Sequence, residues 1–425
     1  MRAYLKTGER HSVGVVGLGK LGLPMAALMS YVGHDVIGFD KNVNVVDSVN
    51  DGVCPIIEPS VQQFMSDCPF QATTDIEDLA DVEAVMVIVP TPSDGAGWFE
   101  VNMVHEVLLD LARIFENAPG KTVVVCSTVM PGSMDGTLRD AIESTGLRAG
   151  ETVDFLYSPE FIALGSVIEN MRHPEVVLIG SVNGSDDTLY QKILIPTHGK
   201  MFPVKRDPHE RYPAPVLHQL SAVEAEIAKI SLNTYVTMKI SFANVLGEIA
   251  QSYNANPVAV ANAIGEDSRV GKKYLRPGAA YGGPCFPRDT DAFNALCSVL
   301  RIQNGLPNAT RDINDAQARR IAREVGLLKN INSVAVLGIA YKPGTPVTER
   351  SAGIAVAETL ERSGYTVLIN DPIADNPQFR GMTWLEDPQE AIDAADCVVL
   401  MCPHEEYEDL QYPQNVVDPW RAVRR

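Results

Sequence analysis

The feature that most constrains this chain is a glycine turn near its start, Gly17-x-Gly19-x-x-Gly22, within SVGVVGLGKLGLP. It directly follows an apolar run and opens a segment of helical spacing, the context in which such glycines bind a dinucleotide. Gly17 permits the tight turn, Gly19 lets the backbone approach a pyrophosphate, and Gly22 allows close packing of helix on strand. Lys20 and Leu21 lie inside the same turn and share the expected cofactor contact. Alone, the motif is weak, and a glycine turn without cofactor is the alternative. Here the next apolar run, HDVIGFD, ends in Asp40, where an acid can hydrogen-bond the adenosine ribose hydroxyls. Its charge repels the 2′-phosphate of NADP, although Lys41 follows it, so the cofactor expected is NAD.

With 425 residues the chain is too long for one ordinary core, and two or three domains are expected. It has no run of about eighteen apolar residues, and MRAYLKTGERHS lacks a signal-peptide core, so no membrane association and a cytoplasmic location are expected. A net charge of −19 argues against a duplex nucleic-acid partner, which needs a basic face to displace counterions. The seven cysteines are scattered without a C-x-x-C pair, which points to a reducing compartment with neither a disulfide framework nor a zinc site.

Along the first 200 residues, short apolar runs (SVGVVGLG, HDVIGFD, AVMVIVPTP, TVVVCSTV, EVVLIG) alternate with amphipathic stretches, one of them around 101–116. This reads as a parallel α/β sheet. FPVKRDPHERYPAP, with four prolines, reads as a linker or excursion loop. Beyond it some thirty proline-free residues, SAVEAEIAKISLNTYVTMKISFANVLGEIAQSYNA, predict one long helix that joins domains and helps form a subunit interface. In the last hundred residues SVAVLGIA, GYTVLIND and DCVVLMCP echo the opening runs in order. That predicts a second Rossmann-like domain, in which Gly338-Ile339-Ala340 lacks the third fingerprint glycine.

Three further constellations carry chemistry. Pro90-Thr91-Pro92 and Ser127-Thr128-Val129 end two apolar runs, at the carboxyl edge of the sheet where ligands of such folds bind. Cys285, in YGGPCFPRD, stands in a Gly/Pro-rich loop unlike a core thiol, with Asp289 four residues on; a structural cysteine in a tight loop is the alternative. The other six cysteines read as packing. Glu226-x-x-Lys229-x-x-x-Asn233 puts Lys229 and Asn233 on one helical face, directed either at a site or at solvent.

Taken together, GLGKLGLP (17–24), STVMPGS (127–133), SPEF (158–161), AEIAKISLN (225–233), RVGKKYL (269–275), GGPCFPRD (282–289) and LGIAYKPGTP (337–346) resemble the nucleotide-sugar 6-dehydrogenases. These include UDP-glucose and GDP-mannose dehydrogenases, and the motifs fall in that family's order over nearly the whole chain. The resemblance implies two Rossmann-like domains joined by a helical centre: an NAD-binding domain at 1–204, a dimer-forming centre at 205–315, and a nucleotide-sugar-binding domain at 316–425. It also implies two successive oxidations at one carbon, with Cys285 attacking the C6 aldehyde to give a thiohemiacetal, then a thioester that water hydrolyses. Lys229 and Asn233 then stabilise the oxyanion. Asp289 and Thr128 position or deprotonate water, and Glu160 serves hydrolysis. Arg269, Tyr274 and Arg276 match the loop that holds the nucleotide diphosphate, with Arg269 reaching across the dimer. Phe161, Gly282 and Lys342 complete the implied substrate contacts, and a few such cations suffice to hold an anion on an acidic protein.

The resemblance departs from the family in places. Where the family has D-D-x-R-E-S, this chain reads Pro346-Val347-Thr348-Glu349-Arg350-Ser351, so no substrate role passes to Arg350. After SPEF the usual L-x-E-G is Ile162-Ala163-Leu164-Gly165. Phe161, where acetamido-sugar enzymes commonly carry Arg, favours a hexose of the UDP-glucose or GDP-mannose kind; UDP-glucose is expected first, with another UDP-sugar such as a UDP-N-acetylhexosamine, and then GDP-mannose, as alternatives. Two other readings stand beside this one: a two-electron β-hydroxyacid dehydrogenase, which has no need of Cys285, and a non-catalytic dinucleotide sensor, which would not need the full catalytic set.

Overall fold

The computed structural model describes residues 9–197, 215–376, 378 and 380–423. All but the last residue of the proline-rich linker expected at 202–215 lies outside the described residues. The chain forms two compact units, Met1–Lys229 and Ile230–Arg425, and passes from one to the other within a single helix, Ala222–Ser252.

The first unit is built on eight strands: β1 (Ser12–Val16), β2 (Asp35–Phe39), β3 (Gln71–Thr73), β4 (Ala84–Val87), β5 (Lys121–Val125), β6 (Val153–Tyr157), β7 (Val176–Ser181) and β8 (Val216–Ser221), in the order β3-β2-β1-β4-β5-β6-β7-β8. The apolar runs read as strands are β1, β2, β4, β5 and β7, and the helix expected near 101–116 spans Asn102–Phe115. Alternate residues enter cores on opposite faces: Val13, Val15, Met86 and Val124 on one, Val16, Val85, Val87 and Val125 on the other. A sheet buried on both faces needs continuous apolar runs, which is why these strands were readable. Its one departure from the expected parallel pattern is at β6 and β7, which pair antiparallel. The strand order reverses at β1, which lies between β2 and β4, so the glycine turn after β1 stands at the topological switch point.

In the second unit the rest of the long helix is followed by Pro257–Gly265, Phe286–Val299 and Gly305–Gly326, and then by a parallel five-stranded sheet. Its strands are β9 (Ser333–Leu337), β10 (Thr366–Asn370), β11 (Met382–Trp384), β12 (Cys397–Leu400) and β13 (Val416–Val417), in the order β11-β10-β9-β12-β13. This is the expected second Rossmann-like sheet, with its own reversal at β9. A third glycine, absent at the fingerprint spacing, is present further along. A side chain on Gly353 would come within 2.3 Å of the Gly338 carbonyl oxygen, just as one on Gly22 would come within 1.8 Å of the Gly17 oxygen. The intervening loop is ten residues longer than in the first unit, and it contains Lys342 and Arg350.

Candidate active site

The glycine turn has the shape its sequence requires. Gly17 adopts φ +94°, where a Cβ would strike the Ile88 carbonyl oxygen at 2.2 Å, and its N–H donates to Phe39 O at 2.8 Å. At Gly19 a Cβ would meet nothing within 4 Å. Packing therefore demands glycine at 17 and 22, whereas at 19 its smallness leaves a bare backbone open to a ligand, as a pyrophosphate contact needs. Lys20 is exposed beside it, and Leu21 is half-buried. These residues fit NAD.

Asp40, half-buried at the end of β2, accepts the Leu18 N–H through Oδ2 and the Asn42 N–H through Oδ1, both at 2.8 Å. A carboxylate accepts about four hydrogen bonds, so capacity remains for a ribose hydroxyl. Asp371, at the same place after β10, is fully buried and accepts from Ile339, Ala340, Ile373 and Ala374 N–H, with His404 at 3.3 Å. Burial alone would raise its pKa, but His404 and these N–H groups hold it down at about 2. The same device thus serves a ligand edge in one unit and internal structure in the other.

Next to the glycine turn, Thr91 is buried and its hydroxyl donates to the Thr128 carbonyl oxygen at 2.7 Å. Ser127 Oγ accepts the Val89 N–H at 3.0 Å and donates to Val89 O at 2.8 Å. The turns that follow β4 and β5 are thereby bolted together, with Pro92 exposed and Thr128 half-buried at this edge.

After β6, Pro159-Glu160-Phe161 meets the long helix. Lys229 is buried; its Nζ donates to the Glu160 carbonyl oxygen at 2.6 Å and lies 4.6 Å from the centre of the Phe161 ring. Burial pushes the Glu160 carboxyl up to about 7, against the pull of the Lys229 ammonium. A carboxyl poised near neutrality can take a proton from water and return it.

In the second unit Cys285 is exposed and stands at the N-cap position of the helix Phe286–Val299, with no capping hydrogen bond from its side chain. Backbone N–H groups at a helix start favour negative charge on sulfur. One turn on, Asp289 is fully buried and accepts Asn233 Nδ2 at 2.6 Å and both Arg288 Nε and a terminal Arg288 nitrogen at 3.1 and 3.0 Å. The other cysteines are buried (126, 297, 397, 402) or half-buried (54, 68), as expected of packing residues.

Two asparagines that the sequence reading passed over hold the loop leading to Cys285. Asn244 accepts the Gly278 N–H at 2.9 Å and donates to Ala279 O at 3.1 Å; Asn314 does the same at Tyr281, at 2.8 and 3.1 Å. An amide side chain can mimic a strand neighbour in this way, but nothing in composition or spacing distinguishes such an asparagine from a solvated one. The third support is the loop before Gly353: Gly283 N–H donates to Glu349 O at 2.9 Å, and Gly282 lies so close to Arg350 that a Cβ would stand 2.3 Å from its oxygen.

The remaining substrate candidates lie around this loop. Arg269 is highly exposed and paired with Asp267, and Tyr274, with φ +60°, sets its ring edge-on to Phe286. Arg276 donates to the Trp420 carbonyl oxygen, and Lys342 Nζ lies 6.0 Å from the Tyr341 ring centre. Arg350 pairs with Asp291 at 2.9 Å.

Models of one family match three successive parts of the chain: its NAD-binding domain at residues 11–197, its central domain at 223–316 and its UDP-binding domain at 335–424. A UDP-glucose 6-dehydrogenase of Haloferax volcanii is 28% identical over 97% of both chains. A GDP-mannose 6-dehydrogenase of Pseudomonas savastanoi is 28% identical, over 87% of this chain and 82% of the other. The solved structure of a UDP-glucose dehydrogenase from Pyrobaculum islandicum superposes with a TM-score of 0.85 at 28% identity, covering 98% of this chain and 96% of that one. With an open glycine turn at the switch point of one sheet, an exposed cysteine at a helix start in the second unit, and matches along most of its length, the chain belongs to the UDP-glucose/GDP-mannose dehydrogenase family and is an NAD-dependent nucleotide-sugar dehydrogenase.

Proposed function

We propose that the protein oxidises the C6 hydroxymethyl group of UDP-glucose to the carboxylate of UDP-glucuronate, in two oxidations at one carbon. The observation that carries this reading is Cys285, an exposed thiol at the start of a helix whose next turn holds the Asn233–Asp289 pair. A two-electron β-hydroxyacid dehydrogenase has no use for that cysteine. UDP-glucose is preferred because relatives named for it match nearly the full length, in sequence and in structure.

NAD, when bound on Gly17, Gly19, Lys20, Leu21, Gly22 and Asp40 with Thr91, Pro92 and Thr128 alongside, supplies the hydride acceptor. Cys285 sulfur adds to the C6 aldehyde, and the resulting thiohemiacetal is oxidised to a thioester, which splits one difficult oxidation of an aldehyde into two easier steps. Lys229 and Asn233 offer a cation and an amide to the developing oxyanion. Glu160, with its carboxyl near neutrality, is the base for thioester hydrolysis, with Thr128 and Asp289 orienting water. Arg269, Tyr274, Arg276, Gly282 and Lys342 are assigned to the nucleotide diphosphate, and Phe161 to the sugar side.

The enzyme works as a homodimer in the cytoplasm under this proposal. Tyr235, Phe242 and Ile249 recur every seven residues along the long helix, each more than half exposed, with Tyr253 beyond them at 82%. A regular apolar stripe of that kind suits a second copy of the same helix. The seven cysteines, none of them in a disulfide, suit a reducing compartment. Among the described residues no helix is long and apolar enough to cross a membrane.

The test is NADH release over a panel of UDP-glucose, UDP-galactose, UDP-N-acetylhexosamines and GDP-mannose. Turnover is expected with UDP-glucose at two NADH per sugar. One NADH per sugar with a ketone product would sink the four-electron reading, and preference for another sugar would replace the substrate.

A further inference from the structure

Among the described residues of the first unit, Glu226 is the most fully enclosed acid to which the reaction above gives no task, and its surroundings are unusual. No part of it is exposed. Its Oε2 accepts the Gly132 N–H at 2.6 Å and its Oε1 accepts the Met134 N–H at 2.8 Å. The intervening Ser133 N–H, which donates to Met130 O at 3.0 Å, also helps lower its pKa, so three successive backbone N–H groups face one carboxylate. Such a run of N–H groups is a nest for an anion, here filled by the protein itself. Gly132, at φ +91°, bends the chain to present them.

The position of this nest gives it meaning. The turn at 131–136 follows directly on Thr128, whose carbonyl is bolted to Thr91 at the cofactor edge. Glu226 itself lies one helical turn before Lys229, whose ammonium rests on Glu160 O. We propose that Glu226 is a positioning residue: its ionised carboxylate, seated in the 132–134 nest, holds the Thr128 segment and the Lys229 turn of the long helix in one fixed relation. It touches no substrate or cofactor atom and acts through these two residues. The proposal rests on the reading that Thr128 and Lys229 serve the oxidation.

The charged group that acts on it is Asp135 from the turn. Burial, helped by Asp135, pushes the Glu226 carboxyl up to about 7 against the backbone donors. Near neutrality a proton on either oxygen removes an acceptor and leaves one nest N–H without its partner. The clamp therefore loosens as pH falls.

Glu226→Gln in the full-length protein tests this, because glutamine keeps the shape but turns an NH₂ toward a donor. At about pH 8 we expect kcat on UDP-glucose to fall about tenfold or more with the sugar KM within about threefold, NAD affinity to weaken about threefold or more, and amide exchange at 131–136 to quicken. A variant of lower thermal stability whose kcat and NAD affinity match the native protein would overturn the proposal, leaving Glu226 a purely structural acid. If the native protein turns over no sugar, the proposed reaction fails on its own, and NAD affinity and exchange still decide the positioning role. Should the variant not fold, the native protein answers alone: corrected exchange protection at 132 and 134 is expected to drop between about pH 8 and 6, and flat protection would refute the clamp.

Discussion

Lys229 Nζ donates to the Glu160 carbonyl oxygen at 2.6 Å while its charge also restrains the Glu160 carboxyl, so one ammonium fixes both the place and the acidity of the proposed base. A carboxyl held at about 7 must be ionised to act as a base, and activity is expected to rise as pH passes upward through that region. In Lys229→Met the restraint is gone, so the rising limb should move to higher pH and the plateau kcat should fall by about 10² to 10³. A pH–rate profile of both proteins measures this, and a limb that stays in place would remove Glu160 from the role.

Cys285→Ser keeps a side chain of similar size at the helix start but replaces the sulfur nucleophile with a hydroxyl. Overall turnover to the acid should fall by at least about 10³, with NAD affinity within about twofold of native. Steady-state NADH production paired with a fluorescence titration of NAD separates the two effects. Substantial acid formation by the serine protein would exclude a thioester route.

The fingerprint glycines divide into packing and ligand positions. Gly22→Ala places a Cβ 1.8 Å from a backbone oxygen and should cost about 3 kcal/mol or more of stability. Gly19→Ala meets nothing within 4 Å, so stability should change by less than about 1 kcal/mol while NAD affinity drops about tenfold. Thermal melts with and without NAD distinguish these outcomes. Equal melting temperatures for the two variants would contradict the division.

Asp371 sits at about 2 against an ordinary 3.8. Because the folded value is the lower one, its stabilisation is present above about pH 4 and disappears as pH falls toward 2; its size is about 2 kcal/mol. Asp371→Asn should lower the stability of the second unit by at least that amount at neutral pH, since four backbone N–H groups then face a weaker acceptor. Denaturant titration checks it. No loss at neutral pH would mean the carboxylate is not the keystone its contacts suggest.

Much of this architecture was legible because its physics is local. Strands buried on both faces read as unbroken apolar runs, and a glycine that cannot carry a Cβ leaves its mark in the sequence. Two of the strands passed over tell the opposite story, whereas β6 was missed in spite of its buried apolar run. β8, Val216–Ser221, is exposed or half-exposed along its whole length, so it has no apolar pattern, and β3 is three residues long. Cys285 and Lys229 stood out by residue type and context, whereas Asn244, Asn314 and the carboxylate of Glu226 act on backbone groups far away in sequence. Only the folded chain shows which amides they meet. Arg350, left without a role by its displacement, pairs with Asp291 on the helix that follows Cys285.

The ten added residues between Gly338 and Gly353 change what a Rossmann turn is for. In the first unit the corresponding turn is short, and its bare backbone faces outward to be filled by a visitor. In the second, the lengthened turn folds back on its own chain, with Glu349 and Arg350 bracing Gly282 and Gly283 just ahead of Cys285. Where the first unit has a cradle, the second has a brace. Sequence drift in that loop would then register in the reactivity of a sulfur atom as well as in the grip that Lys342 is assigned on a nucleotide.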